Sequence, residues 1–184
     1  MTLLIPPHTK VPKPYVEVGG VFTLDELDKL EAMATEANET GAVLGGADQV
    51  RHSLVRFLNY APDMVWLYER MSQMVAGINA NLFNYDLICW GEQLQLARYG
   101  MNGKYDWHQD YQGGVSRKLS VSVQLTDPAK YEGGDLELIN SMHKASRERG
   151  TVILFPSFQL HRVTEVTVGV RYSLVGWVSG PPWR

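Results

Sequence analysis

A mainly β fold with two helices ahead of it is what this sequence of 184 residues predicts. Three observations lead there. Two stretches with helical apolar spacing, each behind a helix-start signal, occupy the first eighty residues. From residue 86 the hydrophobic period changes to two. Six short runs of strand character then follow, separated by Gly, Pro and Asp turn signals, a pattern that belongs to a β-sandwich or barrel. The reading is one domain over 1–184, with 1–20 an extended lead-in and 86–180 the β core.

Taken in order, Pro6, Pro7, Pro12 and Pro14 keep the first fourteen residues out of a helix. Thr23-Leu24-Asp25-Glu26 matches a capping box, with Phe22 and Leu27 placed as a hydrophobic staple, so a helix is expected from here to about residue 38. Three glycines in 41–49 predict a mobile loop, whose functional reading is a lid over a site. Residues 51–60 alternate loosely, as a strand. Asp63 is placed to cap a second helix over 64–80. The stripe of Val65, Leu67, Tyr68, Met71, Met74, Val75 and Ile78 on that helix is read as core packing. The later strands are expected at 93–99, 118–126, 135–140, 151–155, 159–166 and 170–178.

Composition narrows the function. A hydrophobic content of 45% with 20% charged residues is a globular balance and argues against disorder over most of the length. The net charge of -3, with no Lys/Arg-rich run, lacks the footprint of a general nucleic-acid binder. The early apolar stretch Leu3-Leu4-Ile5 ends at Pro6 and has no basic segment before it, so it is not read as a signal peptide. No apolar run approaches the length of a membrane span. A cytoplasmic protein without membrane partners is expected. The one cysteine, Cys89, excludes an internal disulfide and suits a reducing compartment. Its apolar setting, Leu87-Ile88-Cys89-Trp90, predicts a buried, inert thiol. His8, His52 and His143 are expected at the surface.

The chemistry begins at Trp107-His108-Gln109-Asp110. In an extended segment alternate side chains share a side, so His108 and Asp110 can converge while Gln109 faces away. Alone, the pair is a weak motif. His161, on a late strand, supplies a third ligand. Two imidazoles and a carboxylate form the facial set typical of non-haem Fe(II), which leaves three positions open; a structural zinc site would be closed, usually by thiolates. Arg171 opens the last strand. If the turn after His161 centres near Val168, Glu165 pairs with Arg171, and His161 shares a face with Arg171 and Ser173. A guanidinium deeper than the metal binds a carboxylate bidentately, and Ser173 adds a hydrogen bond. Trp90, Trp107 and Trp177 are read as packing, with Trp107, beside a ligand, the one placed to border the pocket.

The set His108-x-Asp110, His161 and Arg171-x-Ser173 resembles the 2-oxoglutarate-dependent dioxygenases. The closer likeness is to the prolyl 4-hydroxylase branch, particularly the small bacterial PKHD-type hydroxylases. Tyr131-Glu132-Gly133-Gly134-Asp135-Leu136 looks like that group's Y-x-G-G-x-L turn. Phe155-Pro156-Ser157-Phe158-Gln159-Leu160-His161-Arg162-Val163-Thr164 looks like its segment around the distal histidine, and Val166-Thr167-Val168-Gly169-Val170-Arg171-Tyr172 continues it. The likeness covers roughly 95–180, and the first ninety residues match the group poorly. It implies a double-stranded β-helix (jelly roll), with Fe(II) on His108, Asp110 and His161 and 2-oxoglutarate on Arg171. It also implies O2, with ascorbate as an optional addition, and a hydrogen bond from Tyr99 to 2-oxoglutarate. The implied reaction is hydroxylation of a prolyl or other peptidyl residue with release of succinate and CO2. The alternative substrate is a free amino acid or another small molecule. The superfamily's nucleic-acid demethylases carry a second arginine six residues after the first; Trp177 stands there, so no nucleic-acid partner is expected.

Overall fold

The computed structural model describes residues 15–36, 42–43, 51–111, 116–139 and 144–182. In chain order the elements are β1 (Val16–Val18), α1 (Leu24–Glu36), β2 (Ala42–Val43), β3 (Arg51–His52), β4 (Leu54–Leu58) and α2 (Val65–Ile78). There follow β5 (Cys89–Trp90), β6 (Leu94–Tyr99), β7 (Lys104–His108), β8 (Arg117–Gln124), β9 (Tyr131–Gly133) and β10 (Leu136–Leu138). The chain closes with β11 (Val152–Pro156), β12 (His161–Val163), β13 (Val166–Gly169) and β14 (Arg171–Ser179).

The helices form where their caps and stripes place them. Glu26 Oε2 accepts from the Thr23 amide at 2.9 Å, and Thr23 Oγ1 accepts from the Glu26 amide at 3.3 Å, closing the capping box. Leu27, Leu30 and Ala34 then bury one face of α1, and Leu67, Tyr68, Met71 and Val75 one face of α2. Each fully buried leucine contributes about 1.5–3 kcal/mol, more than a cap supplies, so packing rather than capping holds the helices down. Asp63 does not cap α2. The N-cap is Met64, with no side-chain cap, and its carbonyl takes the first bonds, from the Leu67 and Tyr68 amides. Burial of the Met64 side chain fixes the start of α2 and leaves Asp63 exposed one residue too early. The second helix also runs on as a π turn over Asn79–Phe83.

Two antiparallel sheets make the body. The larger has the order β1-β11-β8-β14-β6-β4-β2, with β5 also paired to β14; the smaller has the order β10-β12-β7-β3. From β6 onward the chain crosses back and forth: β6, β8, β11 and β14 lie in the large sheet, β7, β10 and β12 in the small one. That winding is the double-stranded β-helix. One core cluster joins the helices to the outer face of the large sheet through Leu94, Leu96, Leu119, Val121, Val123, Tyr172 and Leu174. A second joins the two walls, Ala97, Tyr99, Ile153 and Phe155 meeting Leu136, Leu138 and Val163.

Several elements differ from expectation. The run 51–60 is two strands in different sheets, parted at Ser53. The run 159–166 breaks after Val163, because β12 pairs with β10 and β7 whereas β13 pairs with β9 in a separate ribbon. That ribbon requires Gly133: its φ is +71°, and a Cβ there would lie 2.0 Å from the Glu165 carbonyl oxygen. The short strands β1, β5, β7 and β9 carry too few residues to show a period. Cys89 is exposed, not buried, because β5 pairs only two residues at the end of β14. In the segment 41–49, Ala42 and Val43 form β2 on β4, and the rest of the expected lid lies outside the described residues. The Pro-rich lead-in 1–14, His8 and His143 also lie outside them, while His52 is exposed as expected.

Candidate active site

The site occupies the space between the walls. His108 ends β7 and His161 begins β12, and the two are register partners across that pairing. Their ring centroids are 4.1 Å apart. Asp110 lies just past β7, with Oδ1 3.6 Å from His108 Nε2 and Oδ2 3.4 Å from His161 Nε2. One ligand atom from each of the three side chains lies within 4.8 Å of the others, a group that could hold a metal ion. Gln109 faces out and bonds the Phe158 carbonyl at 2.6 Å, as the alternation requires.

Local bonds set the donor atoms. His108 Nδ1 lies 2.7 Å from the Asp106 carbonyl and His161 Nδ1 2.9 Å from the Gln159 carbonyl. A carbonyl only accepts, so each Nδ1 carries the proton and each Nε2 presents a lone pair inward. Asp110 Oδ2 accepts from Ser120 Oγ at 2.6 Å, and Ser120 Oγ lies 3.0 Å from Ser157 Oγ. Tyr105 stacks on His108 with centroids 3.4 Å apart and 13° between planes. It can do so, three residues before His108, because a bulge in the β7–β12 register turns both side chains inward.

Burial works against the charged form of Asp110, but the neighbouring His108 and His161 side chains and the Ser120 hydroxyl outweigh it. The carboxyl is held well below the usual carboxylate range. Burial also pushes the His161 imidazole below its usual value, opposed by the Asp110 charge. Both shifts keep the forms that ligate a cation, an ionised carboxylate and a neutral imidazole.

The large sheet supplies the opposite wall. Along β14, Arg171, Ser173, Val175 and Trp177 line the pocket, and along β8 so do Ser120 and Ser122. Register sets them in rows: Tyr99 beside Arg171, Ser173 between Ala97 and Gln124, Ser120 between Trp177 and Phe155. Arg171 is 1% exposed. It donates to Gln124 Oε1 at 2.9 Å and to Ser173 Oγ at 3.4 Å, and its guanidinium stands 5.3 Å from the Tyr99 ring centre. Its Nε is buried without a partner, and no carboxylate pairs with it among the described residues. A buried guanidinium lacking an anion is costly, so this end of the pocket fits a carboxylate ligand. Gly134 makes the room, since a Cβ there would come within 3.0 Å of Arg171 Cδ.

His108, Asp110, His161, Tyr99, Arg171 and Ser173 are therefore gathered into one pocket. The expected hairpin between His161 and Arg171 is absent, however: β14 pairs with β6 and β8, not with β12 or β13, and the two residues face each other from opposite walls. Trp177 rather than Trp107 lines the pocket; Trp107 is 40% exposed with Arg162 over its ring. Contributors that the sequence reading does not single out include Ser120, Ser157, Gln124, Tyr105 and Arg117. Arg117 donates to the Asp110 carbonyl at 3.2 Å and stacks 4.1 Å from the Trp177 ring centre. The visible signal was Ser120-x-Ser122-x-Gln124, three polar residues on one face of an otherwise apolar strand.

Residues 94–179 match the 2OG-Fe(II) oxygenase superfamily. A PKHD-type hydroxylase of Synechococcus sp. (strain CC9311) is 41% identical over 88 residues, 46% of this chain and 40% of that protein. The chain spans about two fifths of the length of this and several similar curated relatives. A PKHD-type hydroxylase of Parvibaculum lavamentivorans is 37% identical over 175 residues, 89% of this chain and 77% of the relative, so the likeness extends well beyond 95–180. Among solved structures, a Pseudomonas putida prolyl-4-hydroxylase superposes with a TM-score of 0.77 at 20% identity, covering 92% of this chain and 94% of the other. A Trichoplax adhaerens prolyl hydroxylase, in complex with a peptide fragment of hypoxia inducible factor, gives 0.75 at 15% identity, covering 91% and 84%.

Proposed function

The chain belongs to the 2OG-Fe(II) oxygenase superfamily, in its prolyl 4-hydroxylase-like branch, and on that footing we propose that it hydroxylates an unactivated C–H of a peptidyl residue, a prolyl residue first. The observation that carries the reading is the pairing of a three-ligand cluster with an anion-hungry Arg171 in one pocket. His108, Asp110 and His161 would hold Fe(II). Arg171, with Ser173, Gln124 and Tyr99 around it, would take the far carboxylate of 2-oxoglutarate. When bound, iron with 2-oxoglutarate and O2 supplies the oxidant for hydroxylation, with succinate and CO2 released.

The chain's own residues orient and exclude. The carbonyls of Asp106 and Gln159 keep both Nε2 lone pairs aimed inward. Ser120 holds one Asp110 oxygen, leaving the other free to ligate. Trp177 lines the pocket beside Ser120, and Arg117 stacks on it and donates to the Asp110 carbonyl. The peptide bound to the Trichoplax neighbour supports a polypeptide substrate here.

One observation favours a second reading. Arg51 lines the same pocket 5.0 Å from the Tyr105 ring centre, bonds Ser53 at 2.7 Å, and has no carboxylate partner among the described residues. A small substrate carrying its own carboxylate, such as a free amino acid, would satisfy it. The test is succinate release, with ascorbate included, against proline-containing peptides and free amino acids, followed by mass spectrometry. Peptides that gain one oxygen atom support the first reading. Turnover confined to free amino acids overturns it.

A further inference from the structure

A second cleft, of about 810 Å³, lies on the helix side of the large sheet, between α2 and the turn that joins β5 to β6. Three aromatic rings run along it. Tyr60 meets Tyr68 edge-on with centroids 5.3 Å apart, and Tyr68 meets Trp90 edge-on at 6.4 Å. Tyr60 is 68% exposed, a large ring presented to solvent. Two of the rings are held from below: Tyr68 donates to the Leu58 carbonyl at 2.7 Å and Trp90 Nε1 to Ser72 Oγ at 2.9 Å. The cleft's charged lining is acidic. Glu69 and Glu92 contribute to it, and among the described residues no lysine or arginine does. Glu69 is exposed and makes no ion pair among the described residues.

Fixed aromatic faces beside an unpaired carboxylate are the chemistry that receives a Lys or Arg side chain. The cleft also adjoins the oxygenase pocket. Trp90 pairs with Val178 in the sheet, and the residue before Val178, Trp177, lines that pocket from the opposite face. Glu92, on the cleft's rim, pairs with Arg117, which stacks on Trp177. The cleft's Gly91–Gln93 turn lies beside Trp177, the Gly91 amide donating to the Trp177 carbonyl at 3.2 Å, so cleft and pocket share this margin of β14.

We propose that this cleft binds a lysine- or arginine-bearing extended segment of the polypeptide substrate, flanking the residue that reacts. The inference rests on the polypeptide reading given above. It makes the enzyme selective for basic sequence context at a distance from the reacting side chain.

Cys89 is the chain's one cysteine, is exposed, and lines the cleft, so it reports occupancy without any turnover. The experiment follows the rate at which N-ethylmaleimide labels the full-length, metal- and 2-oxoglutarate-loaded protein under anaerobic conditions. Two peptides of equal length are compared, each with a central proline, one flanked by lysines and the other by glutamates. At a lysine-peptide concentration roughly ten times its Kd, labelling slows about tenfold by mass action. The glutamate peptide leaves the rate unchanged, and Glu69→Lys abolishes the protection. In His108→Ala, which removes a metal ligand, protection by the lysine peptide persists, so loss of the oxygenase site and loss of the cleft are read separately. Equal labelling rates with and without the lysine peptide overturn the proposal, as does undiminished protection in Glu69→Lys.

Discussion

His108 and His161 sit opposite one another in the β7–β12 ladder, 53 residues apart in the chain and 4.1 Å apart at their ring centroids. The ladder itself thus sets the separation of the two imidazoles, and only Asp110 depends on the chain just beyond a strand.

His108→Ala and Asp110→Ala should each lose Fe(II) and turnover together. Two remaining ligands cannot complete the facial set, so affinity falls by at least about 100-fold, beyond what outer contacts usually cost. Anaerobic titration with Fe(II) and 2-oxoglutarate, followed by the visible charge-transfer band, measures it. A retained band in Asp110→Ala would remove that residue from the ligand set.

Arg171→Ala should keep the metal and weaken 2-oxoglutarate. Truncating one partner of a buried charged pair costs about 2–4 kcal/mol, roughly a 30- to 900-fold rise in the cosubstrate's apparent Kd. An unchanged Kd would mean that the buried guanidinium serves the fold alone.

Ser120→Ala should weaken Fe(II) by about 10- to 100-fold while the fold persists, because an oriented Asp110 oxygen loses its fixed donor. Ser120→Thr, which keeps the hydroxyl, should recover most of the affinity. The Co(II)-substituted protein checks the point independently, since its d–d spectrum shifts only if ligand geometry changes.

Stability should show an acid-side dependence traceable to Glu26. Its backbone bond to Thr23 lowers its pKa against the opposing effect of burial, and Arg70 lowers it further. A carboxyl depressed in the folded state stabilises above its unfolded value and loses that contribution as pH falls through the folded one. Glu26→Gln should therefore unfold with less change in Tm between neutral and acid pH than the parent. Thr23→Ala, which removes the reciprocal half of the cap, should cost about 1 kcal/mol, roughly 2–4 °C in Tm for a chain of this size. Thermal melts across pH test both.

What could be read in advance followed the length of the signal. Helix α1 was legible because four consecutive residues, Thr23 to Glu26, carry its start. The convergence of His108 and Asp110 is legible because His-x-Asp works through strand alternation, a local rule. How Arg171 faces His161 was not, because sheet partners are chosen by contacts distant in sequence: β14 selects β6 and β8, and the assumed neighbouring hairpin never forms. Cys89 is exposed where its neighbours predict burial, because an apolar tetrapeptide says nothing about whether its strand lies at a margin. Ser120 and Ser157 escaped notice because single serines are common, and only their burial beside Asp110 gives them meaning.

The strict alternation along β8 and β14 has a consequence for how this molecule can change. On β14, Tyr172 and Leu174 belong to the core beneath the helices, while Arg171, Ser173, Val175 and Trp177 belong to the reaction chamber; on β8 the same division separates Leu119 and Val123 from Ser120 and Ser122. A scan of single substitutions should therefore beat in twos, folding defects at one position and catalytic defects at the next. Evolution, or a protein engineer, can retune the chamber through alternate codons without touching the residues that keep the barrel standing.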